Sequence, residues 1–215
     1  MKALILDMDG VIIDSEPMHF KLERELLEEL GGRISPREQE EFVGRTDRFI
    51  WSELKARFRL KEDLDRIIDM KKDRFLERIG EIGLVENFRD FLEMIGREDL
   101  KIAIASSNNR GAVERVIEFF DLADHIDFYI SGEEVERGKP DPEIFLKAAE
   151  KLGVSPKDCL VIEDATSGIR AAKAAGMKSI GLDNPNSGRQ DLGEADLVIA
   201  GFRDLSMEKI RLLFE

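Results

Sequence analysis

Six short apolar runs, most of them separated by stretches with helical spacing, constrain the fold of this chain more than any other feature. The runs are residues 3–6, 102–105, 128–130, 160–162, 180–182 and 197–199. Between two of them, Phe145, Ala148, Ala149 and Leu152 have the spacing of one helix face, and Gly153 follows where a glycine commonly ends a helix. Strands that alternate with helices predict a parallel sheet covered on both faces. We therefore expect an α/β protein with a Rossmann-like parallel-sheet core.

The segment between the first and second runs has a different pattern. An apolar residue recurs every four positions from Met18 to Leu30, and Ser35 with Glu38 has the spacing of a capping box. No convincing strand interrupts these helical patterns. The predicted domains are an α/β core, residues 1–14 and 84–215, and an inserted four-helix cap, residues 15–83.

The charge and composition of the chain restrict its partners. The formal net charge is −13, which disfavours binding to nucleic acid or anionic lipid because both need a positive surface. No apolar run approaches the roughly 20 residues that span a bilayer, and no signal-peptide pattern opens the chain. The single Cys159 leaves no internal disulfide and no thiolate cluster. We expect a cytoplasmic protein, a monomer or weak dimer, whose partner is a small molecule.

Polar side chains directly follow three of the predicted strands. They are Asp7 and Asp9, then Ser106, Ser107 and Asn108, and finally Glu163 and Asp164. If these strands are neighbours, the side chains meet at the carboxyl edge of the sheet, where ligands bind in such folds. Carboxylates brought together there repel by about 1–4 kcal/mol per pair at effective dielectric constants of 80 to 20. Such crowding favours a cation, and an all-oxygen ligand set is typical of Mg²⁺.

Each of these features also has a plainer interpretation. The run from Asp7 to Gly10 could be only a turn, and Ser106 could form only an ST-turn. Lys139, before Pro140, could be a surface lysine in a rigid turn, and the Glu163–Asp164 pair could cap the next helix. The joint pattern at three strand ends favours a site over these separate coincidences.

The residue types suit phosphoryl transfer, which needs an in-line nucleophile, a cation and fixed donors around the phosphate oxygens. Asp7 at the strand tip is the candidate nucleophile, and Asp9 is the candidate proton donor and acceptor. The candidate metal ligands are Asp7, the main-chain carbonyl of Asp9, Glu163 and Asp164. The candidate phosphate-binding groups are Ser106, the amide of Ser107, and Lys139.

Four motifs carry a resemblance to a known family. The chain reads DMDGV from Asp7, ASSN from Ala105, GKPDP from Gly138 and IEDATSG from Ile162. In order and spacing these resemble the haloacid dehalogenase superfamily, in its phosphatase branch with a small helical cap. The resemblance implies the same roles for Asp7, Asp9, Ser106, Lys139 and Asp164, with Glu163 as an additional metal ligand. That family usually has serine after the last aspartate, whereas this chain has Ala165.

The entry into the predicted cap resembles sugar-phosphate phosphatases and beta-phosphoglucomutases. What the resemblance implies is that the mutases have a histidine at the position of His19, and a lysine and an arginine in the cap that hold a second phosphate. This chain has Val43 and Asp47 where those two cations align. Arg45 or Arg48 could take their place, but their positions do not match, which favours a phosphatase acting on a small metabolite such as a sugar phosphate over a mutase. Further candidates for substrate contact are His19, Gly44, Arg45, Arg48 and Asn108.

Two rival classes share some of these features. Receiver domains combine an acidic pocket with a lysine, but their acidic pair and phospho-acceptor lie on different strands, whereas Asp7 and Asp9 flank one residue here. Receivers also need no helical insert. Dehalogenases use an aspartate nucleophile without magnesium, so Asp9 and the Glu163–Asp164 pair disfavour that class.

Overall fold

The computed structural model describes residues 1–42 and 46–215, and the chain divides into two compact units. We call the first the sheet unit, which comprises Met1–Asp14 and Gly83–Glu215, and the second the helical unit, which comprises Ser15–Ile82. Gly83 therefore groups with the sheet unit, one residue earlier than the predicted boundary.

The sheet unit contains a six-stranded parallel sheet in the order β3-β2-β1-β4-β5-β6. Each predicted apolar run forms one strand, so the predicted α/β fold is confirmed. The strands are β1 (Ala3–Leu6), β2 (Lys101–Ala105), β3 (Phe128–Ile130), β4 (Cys159–Glu163), β5 (Lys178–Leu182) and β6 (Leu197–Ile199). The central strand β1 pairs with β2 on one side and β4 on the other, with Ile5 opposite both Ala103 and Val161.

Helices cover the sheet because their apolar faces match its buried side chains. Those of the sheet unit are α5 (Phe88–Ile95), α6 (Arg110–Phe119), α7 (Glu143–Leu152), α8 (Thr166–Ala174) and α9 (Met207–Leu212). Phe145, Ala148 and Leu152 of α7 belong to the same buried cluster as Ala103 and Val161 of the sheet. Helix α7 ends as predicted at Gly153, whose φ of 67° suits a residue without Cβ.

The helical unit has its own core. Its helices are α1 (Glu16–Glu29), α2 (Pro36–Gln39), α3 (Asp47–Phe58) and α4 (Leu64–Glu77). Leu26, Trp51, Leu54 and Ile67 are buried together in it. The predicted capping box is present, since Ser35 N–H donates to Glu38 Oε2 at 2.8 Å and Glu38 N–H to Ser35 Oγ at 3.3 Å.

A buried ion cluster ties the helices of this unit together. Lys71 of α4 donates to Glu23 of α1 at 2.8 Å and also to Asp47 at the start of α3. Gln39 of α2 donates to the other oxygen of Glu23 at 2.7 Å. Burial disfavours the charge of Lys71, but Asp47 and Glu23 outweigh it and raise its pKa. Lys71 therefore serves as a cation inside the unit.

No helix in the described part of the chain is both long enough and apolar enough to cross a bilayer.

Candidate active site

The loop after β1 turns sharply beside the end of β4. Asp7 N–H donates to Ile162 O at 3.0 Å, which continues the strand pairing to the tip of the sheet. Gly10 then has a φ of 74°, and its N–H donates to Ile13 O at 2.8 Å. A Cβ on Gly10 would lie 1.9 Å from Asp164 Oδ2. Glycine is therefore required here both for the turn and for the close approach of Asp164.

Lys139 connects three strand ends from the interior. Its ammonium donates to the Asp7 carboxylate, to Glu163 Oε1 at 2.7 Å and to the carbonyl of Ala105 at 3.0 Å. Its side chain is only 5% exposed and its Nζ lies 5.0 Å from the ring centroid of Phe145. An ammonium has three N–H groups, so all of them have protein acceptors here. The plainer interpretation of Lys139 as a surface lysine is wrong.

Glu163 and Asp164 point to different partners, although they are adjacent in the chain. Besides Lys139, Glu163 accepts the backbone N–H of Ala165 through Oε2 at 2.9 Å. Asp164 accepts the hydroxyl of Ser187 through Oδ2. Neither carboxylate caps α8, because its first N–H, that of Thr166, donates to Gln190 Oε1 at 3.0 Å. A Cβ on Gly168 would lie 1.8 Å from Glu163 Oε1, so the glycine makes room for this carboxylate.

The end of β2 lies next to Asp9. Asn108 Nδ2 donates to Asp9 Oδ2 at 2.6 Å, so Asn108 orients the proposed acid and base. Ser106 is fully buried, and its Oγ accepts the N–H of Asn108 at 3.1 Å. This is the ST-turn that the plainer interpretation of Ser106 predicts. Ser107 follows it as an exposed residue.

The electrostatics show a shortage of positive charge. Burial raises the pKa of Asp7 to about 8, Lys139 opposes this, and Glu163 and Asp9 add to it. Burial, then Glu163 and Asp7, raise the pKa of Asp164 well above its ordinary value. Burial disfavours the charge on Lys139, but Asp7 and Glu163 outweigh it and hold the pKa of the ammonium above its ordinary value. Among the described residues, one buried ammonium thus contacts two of four neighbouring carboxylates.

This charge balance fits a divalent cation. In residues 1–42 and 46–215, no group of three or more His, Cys, Asp or Glu side chains could by itself hold a metal ion. Mg²⁺ in proteins is commonly bound through one or two carboxylates and completes its octahedron with water and substrate phosphate. Asp7 and Asp164 suit that role, because both oxygens of Glu163 already accept hydrogen bonds.

The candidate substrate residues of the helical unit have varied surroundings. His19 stacks on Phe75, with ring centroids 4.6 Å apart. Arg48 forms an exposed ion pair with Asp65. Asp47 accepts from the buried Lys71. The remaining candidates Gly44 and Arg45, together with Val43, lie outside the described residues.

Sequence reasoning missed two contributors, Asn184 and Ser187, which follow β5. Asn184 Nδ2 donates to the carbonyl of Gly10 at 3.0 Å, and Ser187 donates to Asp164. Because β5 neighbours β4 in the sheet, its carboxyl end lies at the same edge as the predicted site. Polar residues after a strand therefore indicate the site at β5 in the same way as at β1, β2 and β4.

Comparison with known proteins identifies the family. The sequence matches the family described as haloacid dehalogenase-like hydrolase over residues 4–182. It is 36% identical to the phosphorylated carbohydrates phosphatase of Thermotoga maritima over 84% of each chain. It is 32% identical to the beta-phosphoglucomutase of Bacillus subtilis over 97% of this chain and 93% of that protein.

A solved structure shows the same fold. It is the crystal structure of a HAD hydrolase, family IA, variant 3, from Entamoeba histolytica. The TM-score is 0.87 at 26% identity, over 100% of this chain and 99% of that one. The chain belongs to the haloacid dehalogenase-like hydrolase family and is an enzyme, which confirms the resemblance carried by the four motifs.

Proposed function

We propose that this protein is a magnesium-dependent phosphatase that hydrolyses a small phosphorylated metabolite, a sugar phosphate, through an aspartyl-phosphate on Asp7. The observation that carries the proposal is the position of Asp7, a buried carboxylate that shares the ammonium of Lys139 with Glu163. The names of two relatives, a phosphorylated carbohydrates phosphatase and a beta-phosphoglucomutase, support the substrate class.

Asp7 would act as the nucleophile. Its carboxylate oxygen forms a bond to phosphorus as the bond from phosphorus to the leaving oxygen breaks. The hydrogen bonds that Lys139 makes with Asp7 and the carbonyl of Ala105 fix the direction of the attacking carboxylate. Lys139 therefore first positions Asp7, and it would contact a phosphate oxygen only by exchanging one of these acceptors.

Asp9 would move the protons. It protonates the leaving oxygen in the first step and removes a proton from water in the second, when that water attacks the phosphorus of the aspartyl-phosphate. The amide of Asn108 holds the Asp9 carboxylate by one oxygen. Inorganic phosphate then leaves, and Asp7 and Asp9 return to their starting states.

Mg²⁺ would be held by Asp7, Asp164 and the carbonyl of Asp9. When bound, the cation supplies charge stabilisation for the phosphate oxygens. It would also lower the raised pKa values of the two carboxylates, since a nearby cation favours the ionised form. The amide of Ser107 and the end of β2 at Ser106 remain the proposed phosphate-binding groups.

The helical unit is proposed as the cap domain of the enzyme. A mutase must hold a second phosphate with cap cations. Lys71 and Arg48 are already paired with carboxylates of the same unit, Lys71 with Glu23 and Asp47 and Arg48 with Asp65. For these two described cations, the pairing favours a phosphatase over a mutase.

The experiment is a phosphate-release assay with Mg²⁺ on a panel of sugar phosphates, nucleotides and phosphorylated acids. Interconversion of glucose 1- and 6-phosphates is followed in parallel, since that activity without phosphate release would indicate a mutase. Asp7→Asn should lower kcat by more than about 100-fold, because a nucleophile is lost. Asp183→Asn, an exposed residue just after β5, controls for the loss of one charge.

Chelation tests the metal. Removal of Mg²⁺ should stop turnover, and its return should restore it, because charge stabilisation by the ion is lost and regained. Full activity in excess chelator would exclude the metal from the reaction. Mass spectrometry of an Asp9→Asn variant with substrate should show one added phosphoryl group on the peptide that contains Asp7. A phosphoryl group on another peptide would exclude Asp7 as the nucleophile.

A further inference from the structure

We propose that the turn from Asn184 to Ser187 is a positioning element of the metal site, in which Ser187 fixes the Asp164 carboxylate as a magnesium ligand. The inference rests on the proposed function, because it assigns a role toward the Mg²⁺ site described above. It adds a residue that lies outside the four motifs and on a separate strand end.

The turn is attached to the loop after β1 by Asn184. This side chain is 7% exposed, and its amide donates to the carbonyl of Gly10 at 3.0 Å. Its Oδ1 accepts the backbone N–H of Asn186 at 2.9 Å, and its carbonyl accepts the N–H of Ser187 at 3.1 Å. Asn184 therefore holds the turn closed and anchors it on the loop that carries Asp7 and Asp9.

Ser187 completes the connection on the other side. Its hydroxyl, on a residue 8% exposed, donates to Asp164 Oδ2. A serine hydroxyl has one proton to donate, and a carboxylate rotates freely about its terminal bond unless a donor fixes it. The bond fixes one oxygen of Asp164 and so sets the orientation of the whole carboxylate.

Gly10 shows how tightly these groups converge. A Cβ on this glycine would lie 1.9 Å from Asp164 Oδ2 and 2.8 Å from Ser187 Oγ. Three chain segments, the loop after β1, the end of β4 and the turn after β5, thus meet around the space that a side chain at position 10 would fill. The geometry is that of an outer layer that orients a metal ligand, and loss of such partners typically weakens metal binding by 10- to 100-fold.

The test is titration of Mg²⁺ alone into the full-length protein by calorimetry, with no substrate present. Ser187→Ala should bind Mg²⁺ roughly 10-fold more weakly than the wild type. Ser187→Thr keeps the hydroxyl and should bind within about threefold of wild type. Ser187→Cys keeps the size but is a weak donor, so it should resemble Ser187→Ala. Ser179→Ala, which removes a buried hydroxyl from β5, should leave the affinity unchanged.

The outcomes separate this inference from the proposed function. Wild-type affinity in both Ser187→Ala and Ser187→Cys would overturn the role of the hydroxyl while leaving the metal site intact. Equal weakening in Ser187→Thr and Ser187→Ala would also overturn it, because the hydroxyl would then not be the cause. A wild type that binds no Mg²⁺ would overturn the metal site and this inference with it. Circular dichroism melting selects the variants that are folded, and the comparison needs Ser187→Thr together with either Ser187→Ala or Ser187→Cys.

Discussion

The burial of Asp7 makes a prediction about stability that does not depend on turnover. In the absence of metal, the pKa of this carboxyl is raised from 3.8 to about 8, chiefly by burial. The folded protein therefore keeps a proton on Asp7 that the unfolded chain releases above about pH 4. Stability is highest below that pH and falls as the pH rises toward 8, because the unfolded state then binds fewer protons than the native state.

The size of the effect follows from the shift. A difference of one in pKa between the folded and unfolded states is worth about 1.4 kcal/mol. The rise from 3.8 to about 8 therefore lowers the free energy of unfolding by at most roughly 6 kcal/mol between about pH 4 and pH 8. Asp7→Asn removes the titrating group, and the variant should lose that slope. The slope is the quantity to compare, because Asp7→Asn also removes one charged partner of Lys139, which changes stability at every pH.

The assay is urea denaturation in chelator at pH values from 5 to 8. Circular dichroism is the appropriate probe, since the single tryptophan, Trp51, lies in the helical unit and its fluorescence reports that unit alone. Asp183→Asn serves as the exposed control. Saturating Mg²⁺ at pH 8 should stabilise the wild type and leave Asp7→Asn nearly unchanged, because the ligand binds the ionised carboxylate.

Equal pH slopes in the wild type and in Asp7→Asn would refute the reasoning. That result would show that Asp7 is ionised in the folded protein throughout the range, and that Lys139 alone compensates the charges of Asp7 and Glu163. The raised pKa would then no longer argue for a cation.

Two further changes test packing in the two units. Gly168→Ala should lower the free energy of unfolding by about 1–3 kcal/mol and reduce phosphate release, because the new Cβ would overlap Glu163. Urea denaturation measures the first effect and the activity assay the second. Wild-type stability in this variant would contradict the close approach of Glu163 to Gly168. Lys71→Met should destabilise the helical unit by about 3–5 kcal/mol, because the buried carboxylate of Glu23 loses its cation. Trp51 fluorescence in urea measures this, with the exposed Lys72→Met as control, and equal stability of the two variants would contradict it.

The fold was predictable because its signals are local. Each strand is a short apolar run, and a strand buried on both faces needs no polar alternation. The capping box at Ser35 and the glycine stop at Gly153 are likewise set by neighbouring residues. The strand order was not predictable in the same way, because it depends on how distant segments pair. The sequence could only state that the site requires β1, β2 and β4 to be neighbours, and the structure shows that they are.

The partners of the site residues were harder to predict. Lys139 was expected to hold phosphate, and the structure adds that its ammonium donates to Asp7, Glu163 and a main-chain carbonyl. Asn108 was a candidate for substrate contact, and the structure shows in addition that its amide donates to Asp9. Hydrogen-bond partners depend on side-chain directions at the sheet edge, which a motif does not encode.

The clustered carboxylates of the site destabilise the fold, and the residues around them show how the chain accommodates them. Carboxylates at the edge of a sheet destabilise the fold when they lack compensating charge, and Lys139 can neutralise only part of the cluster. The glycines at 10 and 168 have no side chain where Asp164 and Glu163 must fit, and the donors at 108 and 187 each fix one carboxylate. Such groups stabilise the fold little by themselves, yet they hold the acids in place before any ligand arrives. Electrostatic preorganisation of this kind lowers a barrier without reorganisation during the reaction. The same features that make the metal-free site unfavourable are therefore those that would make the occupied site reactive.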